Sequence, residues 1–324
     1  MPTIRYANHN LPLDDNQSVL ETLLEAGYEI PNACRAGACQ SCLMQAVSGK
    51  LPELAQLGLK ETQKAQGYFL ACLCFPDNDL EVRLPEATDA QLSATITEHQ
   101  PLSADVVRIR LRPEQPLTYQ PGQFVTLWRD EKTGRSYSLA SVPEIDSDLE
   151  FHVKRIPGGH VSAWLYDEAK VGFTLEIQGP AGDCFYTPGE PDRKLLLAGT
   201  GTGLAPLYGI ARDALQQGHA GEIHLFHGAV TQEGLYLHDT LKNLANKYAN
   251  LHYHPCVLNG SEEEDSTIQA GAIDELILKQ AGNLRDWKVY LCGPEERVQS
   301  MRKKCFLAGA NMKDIYADAF VGQT

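Results

Sequence analysis

The chain has 324 residues, 43 % of them hydrophobic, with 28 Lys and Arg against 42 Asp and Glu, a net charge of −14. That length implies two or three domains with real cores, and the acidity argues against a nonspecific nucleic-acid binder. No apolar run is long enough to cross a bilayer. The start, MPTIRYANHN, lacks the basic and then apolar pattern of an export signal, so a cytoplasmic protein with no membrane or nucleic-acid partner is expected.

In chain order, residues 3–8 (TIRYAN) alternate like a strand. Ser18 followed by Glu21 predicts a capping box opening a helix over VLETLLEAG, with Gly27 as its stop. Nine cysteines follow the same order: 34, 39, 42, 72, 74, 184, 256, 292 and 305. An odd count without an export signal argues against a disulfide framework, and five of the nine fall in the first 74 residues, which points to a metal site there.

The segment 34-CRAGACQSC-42 spaces Cys34, Cys39 and Cys42 as C-x4-C-x2-C, with further thiols at Cys72 and Cys74. This is the plant-type [2Fe–2S] spacing with a distant fourth thiolate. Structural zinc usually takes paired CxxC knuckles, and only one tight pair exists here. Ala36, Gly37 and Ala38 are small enough for the loop to wrap closely with its amides inward, and Arg35 and Ser41 add polar support at the rim. Residues 43–48 and 80–84 read as further strands, and 85-PEATDAQ-91 as a soft boundary.

From about 92 to 187 the chain is a series of short strands with turns between them: ATITEHQ, VVRIRLRP, FVTLWRD, RSYSLAS, LEFHVKRI and TLEIQGP. Such a series predicts an antiparallel barrel. Strand alternation puts Arg135 and Tyr137 on one side of 135-RSYSLAS-141 and Ser136 and Ser138 on the other. The stretch 157-PGGHVSAWL-165 reads as a glycine turn opening a short helix, whose free N–H groups suit an anion.

From 193 strands alternate with helices, the pattern of a doubly wound parallel sheet, which binds ligands at the carboxyl ends of its strands. Strand LLLA runs into 199-GTGTGLAP-206, which is neither GxGxxG nor a Walker loop. The second strand ends in 227-HGAVTQEGLY-236 without Lys or Arg; for a nicotinamide dinucleotide on this sheet that would favour NADH over NADPH, while His227 as a source of partial charge leaves NADPH open.

With these motifs on the page, a resemblance covers essentially the whole chain. The segment 34-CRAGACQSC-42 with 69-FLACLCFP-76 resembles plant-type ferredoxins and the ferredoxin domains of bacterial oxygenase reductases. Residues 135-RSYS-138 resemble the RxYS motif of the ferredoxin–NADP reductase superfamily, and 201-GTGLAP-206, 291-LCGPEERV-298 and 316-YADAF-320 resemble its GTGxxP, CGxx and closing acidic–aromatic elements.

The resemblance implies a multidomain α+β chain: a β-grasp ferredoxin domain (1–88), an antiparallel β-barrel FAD domain (89–190) and a doubly wound parallel α/β NAD domain (191–324). It implies Cys34, Cys39, Cys42 and Cys72 as cluster ligands, Cys72 standing four residues before Pro76, with Cys74 the local competitor. It implies Arg135 on the FAD phosphate, Tyr137 packed on the flavin, Ser138 near the flavin N5, and the pyrophosphate on Gly159, His160, Val161 and Ser162. For the nucleotide it implies Gly201, Thr202, Gly203, Pro206, Gly293 and Pro294, with Cys292 beside the nicotinamide, and the closing pair Asp318 and Phe320, the aromatic near the flavin.

The implied activity is an NADH-dependent oxidoreductase. It would pass electrons through FAD and a [2Fe–2S] cluster to a terminal oxygenase component or a ferredoxin. The rivals are a reductase of another pathway, such as deoxysugar reduction or a phenol- or methane-type monooxygenase, and a redox sensor without turnover.

Overall fold

The computed structural model describes residues 2–14, 16–37, 40–85, 91–258 and 267–320. The chain divides into two compact units, Met1–Asp89 and Ala90–Thr324.

In the first unit, β1 (Thr3–Tyr6), β2 (His9–Pro12), α1 (Val19–Glu25), β3 (Leu43–Ser48), α2 (Glu61–Ala65), β4 (Tyr68–Leu70) and β5 (Leu80–Arg83) make one sheet with helices against it. The strand order is β2-β1-β5-β3-β4, with β1 and β5 parallel, as a β-grasp requires. The strand expected over 3–8 stops at Tyr6, because Ala7 (φ 47°) and Asn8 (φ 65°) turn left-handed into β2. A two-residue hairpin needs that geometry.

The capping box of α1 is present: Ser18 Oγ accepts from the Glu21 N–H at 3.2 Å, and Glu21 Oε2 accepts from the Ser18 N–H at 2.9 Å. Such a cap contributes about 1 kcal/mol. Val19, Leu20 and Leu23 of the helix bury against Met44, Phe69 and Leu80 of the sheet, each side chain contributing roughly 1.5–3 kcal/mol. Gly27, at φ 85°, ends the helix.

The second unit begins with an antiparallel sheet. Its strands are β6 (Gln91–Pro101), β7 (Val106–Pro113), β8 (Phe124–Asp130), β9 (Thr133–Ser138), β10 (Leu149–Lys154) and, after α3 (Ser162–Asp167), β11 (Thr174–Ala181). The order is β10-β7-β6-β11-β8-β9. The chain leaving β9 meets β10, where the Ala140 N–H donates to the Glu150 carbonyl at 2.9 Å, closing the barrel. In β7 the alternation is plain. Val107, Ile109 and Leu111 are fully buried, while Arg108, Arg110 and Arg112 point the other way, to Glu98, Glu150 and Asp148.

The same unit continues through β12 (Leu195–Thr200), α4 (Leu204–Gln216), β13 (Ile223–Ala229), α5 (His238–Lys247), β14 (Leu251–Val257), β15 (Gln269–Ala270), α6 (Ile273–Ala281), β16 (Lys288–Pro294), α7 (Glu295–Leu307) and β17 (Ile315–Phe320). The sheet order is β15-β14-β13-β12-β16-β17, every pair parallel. Leu195 and Leu197 pack with Leu207 and Ile210 of α4 on one face, and Leu196 and Ala198 with Ile277 and Val298 on the other. The winding reverses at β12, which lies between β13 and β16, and a crevice opens at the carboxyl ends there. The two-residue β15 was not expected, since two residues carry no period.

Candidate cofactor sites

In the first unit the loop after α1 brings thiols together. Cys42 is buried and Cys34 exposed, and the Cys72 thiol lies within hydrogen-bonding reach of Cys42 and in the field of Cys34. Burial pushes Cys72 up to about 11 and the neighbouring Cys42 adds to this, while the Gly37 N–H, bonded to the sulfur, opposes them. The Ala36 N–H points at Cys34 Sγ at 3.4 Å, and the Ala71 N–H ties the two cysteine segments by donating to the Cys42 carbonyl at 3.0 Å. Amides aimed at sulfur are what a thiolate-held cluster uses, so the described residues fit one. Cys39 and its neighbour Ala38 lie outside the described residues.

The loop is held in an unusual shape. Arg35 (φ 51°), Gly37 (φ 77°) and Gln40 (φ 56°) are all left-handed. A β-carbon at Gly37 would come within 2.4 Å of Leu73 Cδ1, the movable end of a side chain, so it is the left-handed backbone angle that demands glycine here. Cys74 has a different environment. It is fully buried, and burial alone pushes its thiol up to about 12.

In the second unit a cleft of about 1140 Å³ opens between the barrel and the carboxyl ends of the parallel sheet. Arg135, Ser136, Tyr137 and Ser138 all line it. Alternation would have split them between two faces, but β9 is the edge strand of its sheet and both of its faces reach the cleft. Arg135 Nη1 donates to the Gly134 carbonyl at 2.8 Å, and no carboxylate pairs with this guanidinium among the described residues. Burial raises Tyr137 against the opposing charge of Arg135.

The turn Gly158–Ser162 lines the same cleft. Within it the Gly159 N–H is already taken by the Ile156 carbonyl at 2.9 Å, and the Val161 side chain is in the barrel core. Gly159 therefore shapes the turn, and the backbone of the following residues is left to face a ligand. The His160 carbonyl is held by Arg129 Nη1 at 2.9 Å.

On the sheet side Thr200, Gly201, Thr202, Pro294 and Phe320 line the cleft. The Thr200 hydroxyl is buried with no partner among the described residues, and Gly201 is left-handed with nothing within 4 Å of where a β-carbon would stand. An orphaned hydroxyl beside an open glycine fits a phosphate-bearing ligand. Gly203, Pro206, Cys292 and Gly293 do not line the cleft. A β-carbon at Gly203 would stand 2.2 Å from the Cys292 carbonyl oxygen, so this glycine lets the turn between β12 and α4 pack closely against β16. Pro206 sits in the first turn of α4, where a missing N–H breaks no helical bond.

The strand register aligns Gly199, Cys292 and Asp318 in one row. The Cys292 thiol is fully buried, 3.8 Å from Cys184 Sγ. Burial and that second thiol push it well above the usual thiol range. Ser138 Oγ donates to Asp318 Oδ2 at 2.6 Å, joining barrel to sheet. Burial raises Asp318 to about 6 against that bond. A hydroxyl backed by a buried carboxylate can take or give a proton at the atom it faces.

Among the cleft residues, Asp105, His152 and Lys154 carried no motif, and Thr231, Glu233, Tyr236 and Arg297 join them from the segments 227–236 and 291–298 without having been singled out there. His227 corrects an expectation. It is fully enclosed and outside the cleft lining, and burial, with His238 and His152 nearby, drives it down to about 3. A neutral, enclosed imidazole supplies no charge to a 2′-phosphate. The loop after β13 instead presents Glu233, whose carboxyl is held low by the Thr231 hydroxyl.

An acceptor barrel and a nucleotide sheet sharing one cleft, in a chain that also gathers cysteine thiols, make this an iron–sulfur flavoprotein oxidoreductase. Residues 4–77 match a 2Fe-2S iron-sulfur cluster binding domain, 93–186 an oxidoreductase FAD-binding domain and 197–303 an oxidoreductase NAD-binding domain. The chain is 30 % identical to the ferredoxin–NAD(P)+ reductase component of a naphthalene 1,2-dioxygenase system from Pseudomonas putida, over 97 % of this chain and 96 % of that protein. It is 33 % identical to the reductase subunit of an aromatic O-demethylase from an Amycolatopsis species, over 89 % of each. A solved cytochrome P450 reductase from Amycolatopsis superposes with a TM-score of 0.68 at 29 % identity, covering 99 % of both chains. The chain belongs to this family of three-domain ferredoxin–NAD(P)+ reductases. No helix among the described residues is long and apolar enough to cross a membrane.

Proposed function

We propose that the protein carries reducing equivalents from NADH to the oxygenase component of an aromatic-oxidising system, or to a ferredoxin serving one. When bound, the nicotinamide supplies a hydride, FAD converts two-electron into one-electron chemistry, and a [2Fe–2S] cluster carries single electrons. Cys34, Cys39, Cys42 and Cys72 hold the cluster, and Cys74 is a core residue. Arg135 binds the FAD phosphate, Tyr137 packs on the ring system, and the backbone of His160, Val161 and Ser162 meets the pyrophosphate, with Gly159 shaping the turn. Gly201, Thr202 and Pro294 face the nucleotide, and Gly203, Pro206, Cys292 and Gly293 form the packed layer behind them. Ser138, tied to Asp318, handles a proton at the reacting face, and Phe320 covers the flavin there. The observation that carries this reading is the single cleft lined from both sides by Arg135–Ser138 and Thr200–Thr202.

Stopped-flow mixing with NADH tests it. Bleaching at the flavin wavelength is expected first and at the cluster wavelength second; cluster bleaching ahead of flavin bleaching, or no reduction, would sink the proposal. Arg135→Ala tests the flavin side. Loss of a charged hydrogen bond to phosphate costs roughly 1.5–3 kcal/mol, so FAD should wash out on gel filtration while the cluster spectrum stays. FMN instead of FAD in the heat-released flavin would remove the pyrophosphate role of the 158–162 turn.

A further inference from the structure

His152 stands on β10, outside every motif of the sequence. Its Nε2 lies 3.0 Å from Glu150 Oε1, and the other Glu150 oxygen accepts from Arg110 Nε and Nη2 at 2.9 and 2.7 Å. Burial acts to raise Glu150, yet His152 and Arg110 hold it down to about 2. An ionised carboxylate only accepts, so Nε2 carries a proton. Nδ1 then faces the Tyr236 hydroxyl at 3.2 Å, across the junction between barrel and sheet. Burial keeps that hydroxyl protonated by pushing Tyr236 well above the ordinary phenol range.

Tyr236 closes the segment that leads from β13 into α5. Val230, Thr231, Glu233 and Gly234 of that segment line the cleft. The next residue, Leu237, is left-handed at φ 60°, a conformation a leucine keeps only when its neighbours enforce it. The segment is thus anchored at Tyr236, and Tyr236 is anchored by the barrel.

We propose that His152 is a positioning residue for NADH: through Tyr236 it fixes the 230–234 loop as the wall against which the nucleotide binds. The proposal rests on assigning the sheet side of the cleft to NADH. A second tie joins the same two parts, Arg212 Nη1 and Nη2 to Asp146 Oδ2 and Oδ1, each at 2.9 Å. Neither Arg212 nor Asp146 lines the cleft, so this tie serves as the control.

The experiment uses the full-length FAD-loaded protein and calorimetric titration with NAD+, which binds without reducing the flavin. Tyr236→Phe keeps the ring and removes only the hydroxyl; His152→Phe removes the partner. Each is expected to weaken NAD+ roughly tenfold, the effect of one buried hydrogen bond. The double variant should be no weaker than either single one, because both remove the same interaction. KM for NADH should rise with kcat and FAD content unchanged. Asp146→Asn should lower the melting temperature and leave NAD+ affinity alone. Three results would overturn the proposal: wild-type NAD+ affinity in Tyr236→Phe, equal weakening in Asp146→Asn, or loss of FAD from Tyr236→Phe. Failure of the wild-type protein to bind NAD+ would overturn the assignment of the cleft itself, and the proposal with it.

Discussion

Cys72→Ser is expected to abolish the reduced-state EPR signal and remove the roughly two irons per chain that a [2Fe–2S] centre holds, while Cys74→Ser keeps both. The two cysteines are separated only by Leu73, and their surroundings decide between them. Cys72 shares its position with Cys42 and Cys34 and takes the Gly37 N–H on its sulfur. Its upward shift comes from burial and a neighbouring thiol, a state that a metal ion reverses by displacing the protons. Cys74 is shifted by burial alone, and its carbonyl is engaged by the Val19 N–H at 2.9 Å, which fixes it under α1. A serine there puts an unpaired hydroxyl in the core at a cost of about 1–3 kcal/mol, so Cys74→Ser should melt earlier with its signal intact. A surviving signal in Cys72→Ser together with its loss in Cys74→Ser would exchange the two assignments.

Most of the fold could be read from the sequence because its elements carry strong periods. β7 and β8 occupy the residues that the alternation marks, Val106–Pro113 and Phe124–Asp130, and the buried run Leu195–Thr200 ends at the glycine turn, as a central parallel strand should. What the sequence could not show is contact between distant segments. The RxYS match and the closing acidic–aromatic pair pointed to Ser138 and Asp318 separately, but their 2.6 Å bond spans 180 positions. Cys184 carried no motif, so nothing warned that the Cys292 thiol faces it rather than the cleft. His152 and Tyr236, 84 positions apart, are each unremarkable in sequence, and only the docking of barrel on sheet gives them a joint role. His227 erred for the same reason. Its place at the end of the second strand offered it as a source of partial charge, and the packing of Tyr236 against it, 5.5 Å between ring centres, encloses it.

Deleting residues 1–86 is expected to preserve NADH–ferricyanide activity and abolish the reduction of cytochrome c. The cleft-lining residues all lie between Ser103 and Phe320, inside the compact unit Ala90–Thr324. That unit has its own cores in the barrel and on both faces of the parallel sheet, so it should fold and retain FAD without the first unit. Flavin content, measured first, checks this. Ferricyanide is small and takes electrons at the cleft directly. Cytochrome c is a bulky one-electron acceptor and needs a surface that presents single electrons, and the cysteines able to provide one, Cys34, Cys42 and Cys72 among the described residues, belong to Met1–Asp89. An enzyme that completed its chemistry in the cleft would have no use for that unit. If the truncated protein, with full flavin, still reduces cytochrome c at the intact rate, the electrons do not leave by way of the first unit. The assignment to an oxygenase-type electron chain would then lose its mechanism, even with every motif in place.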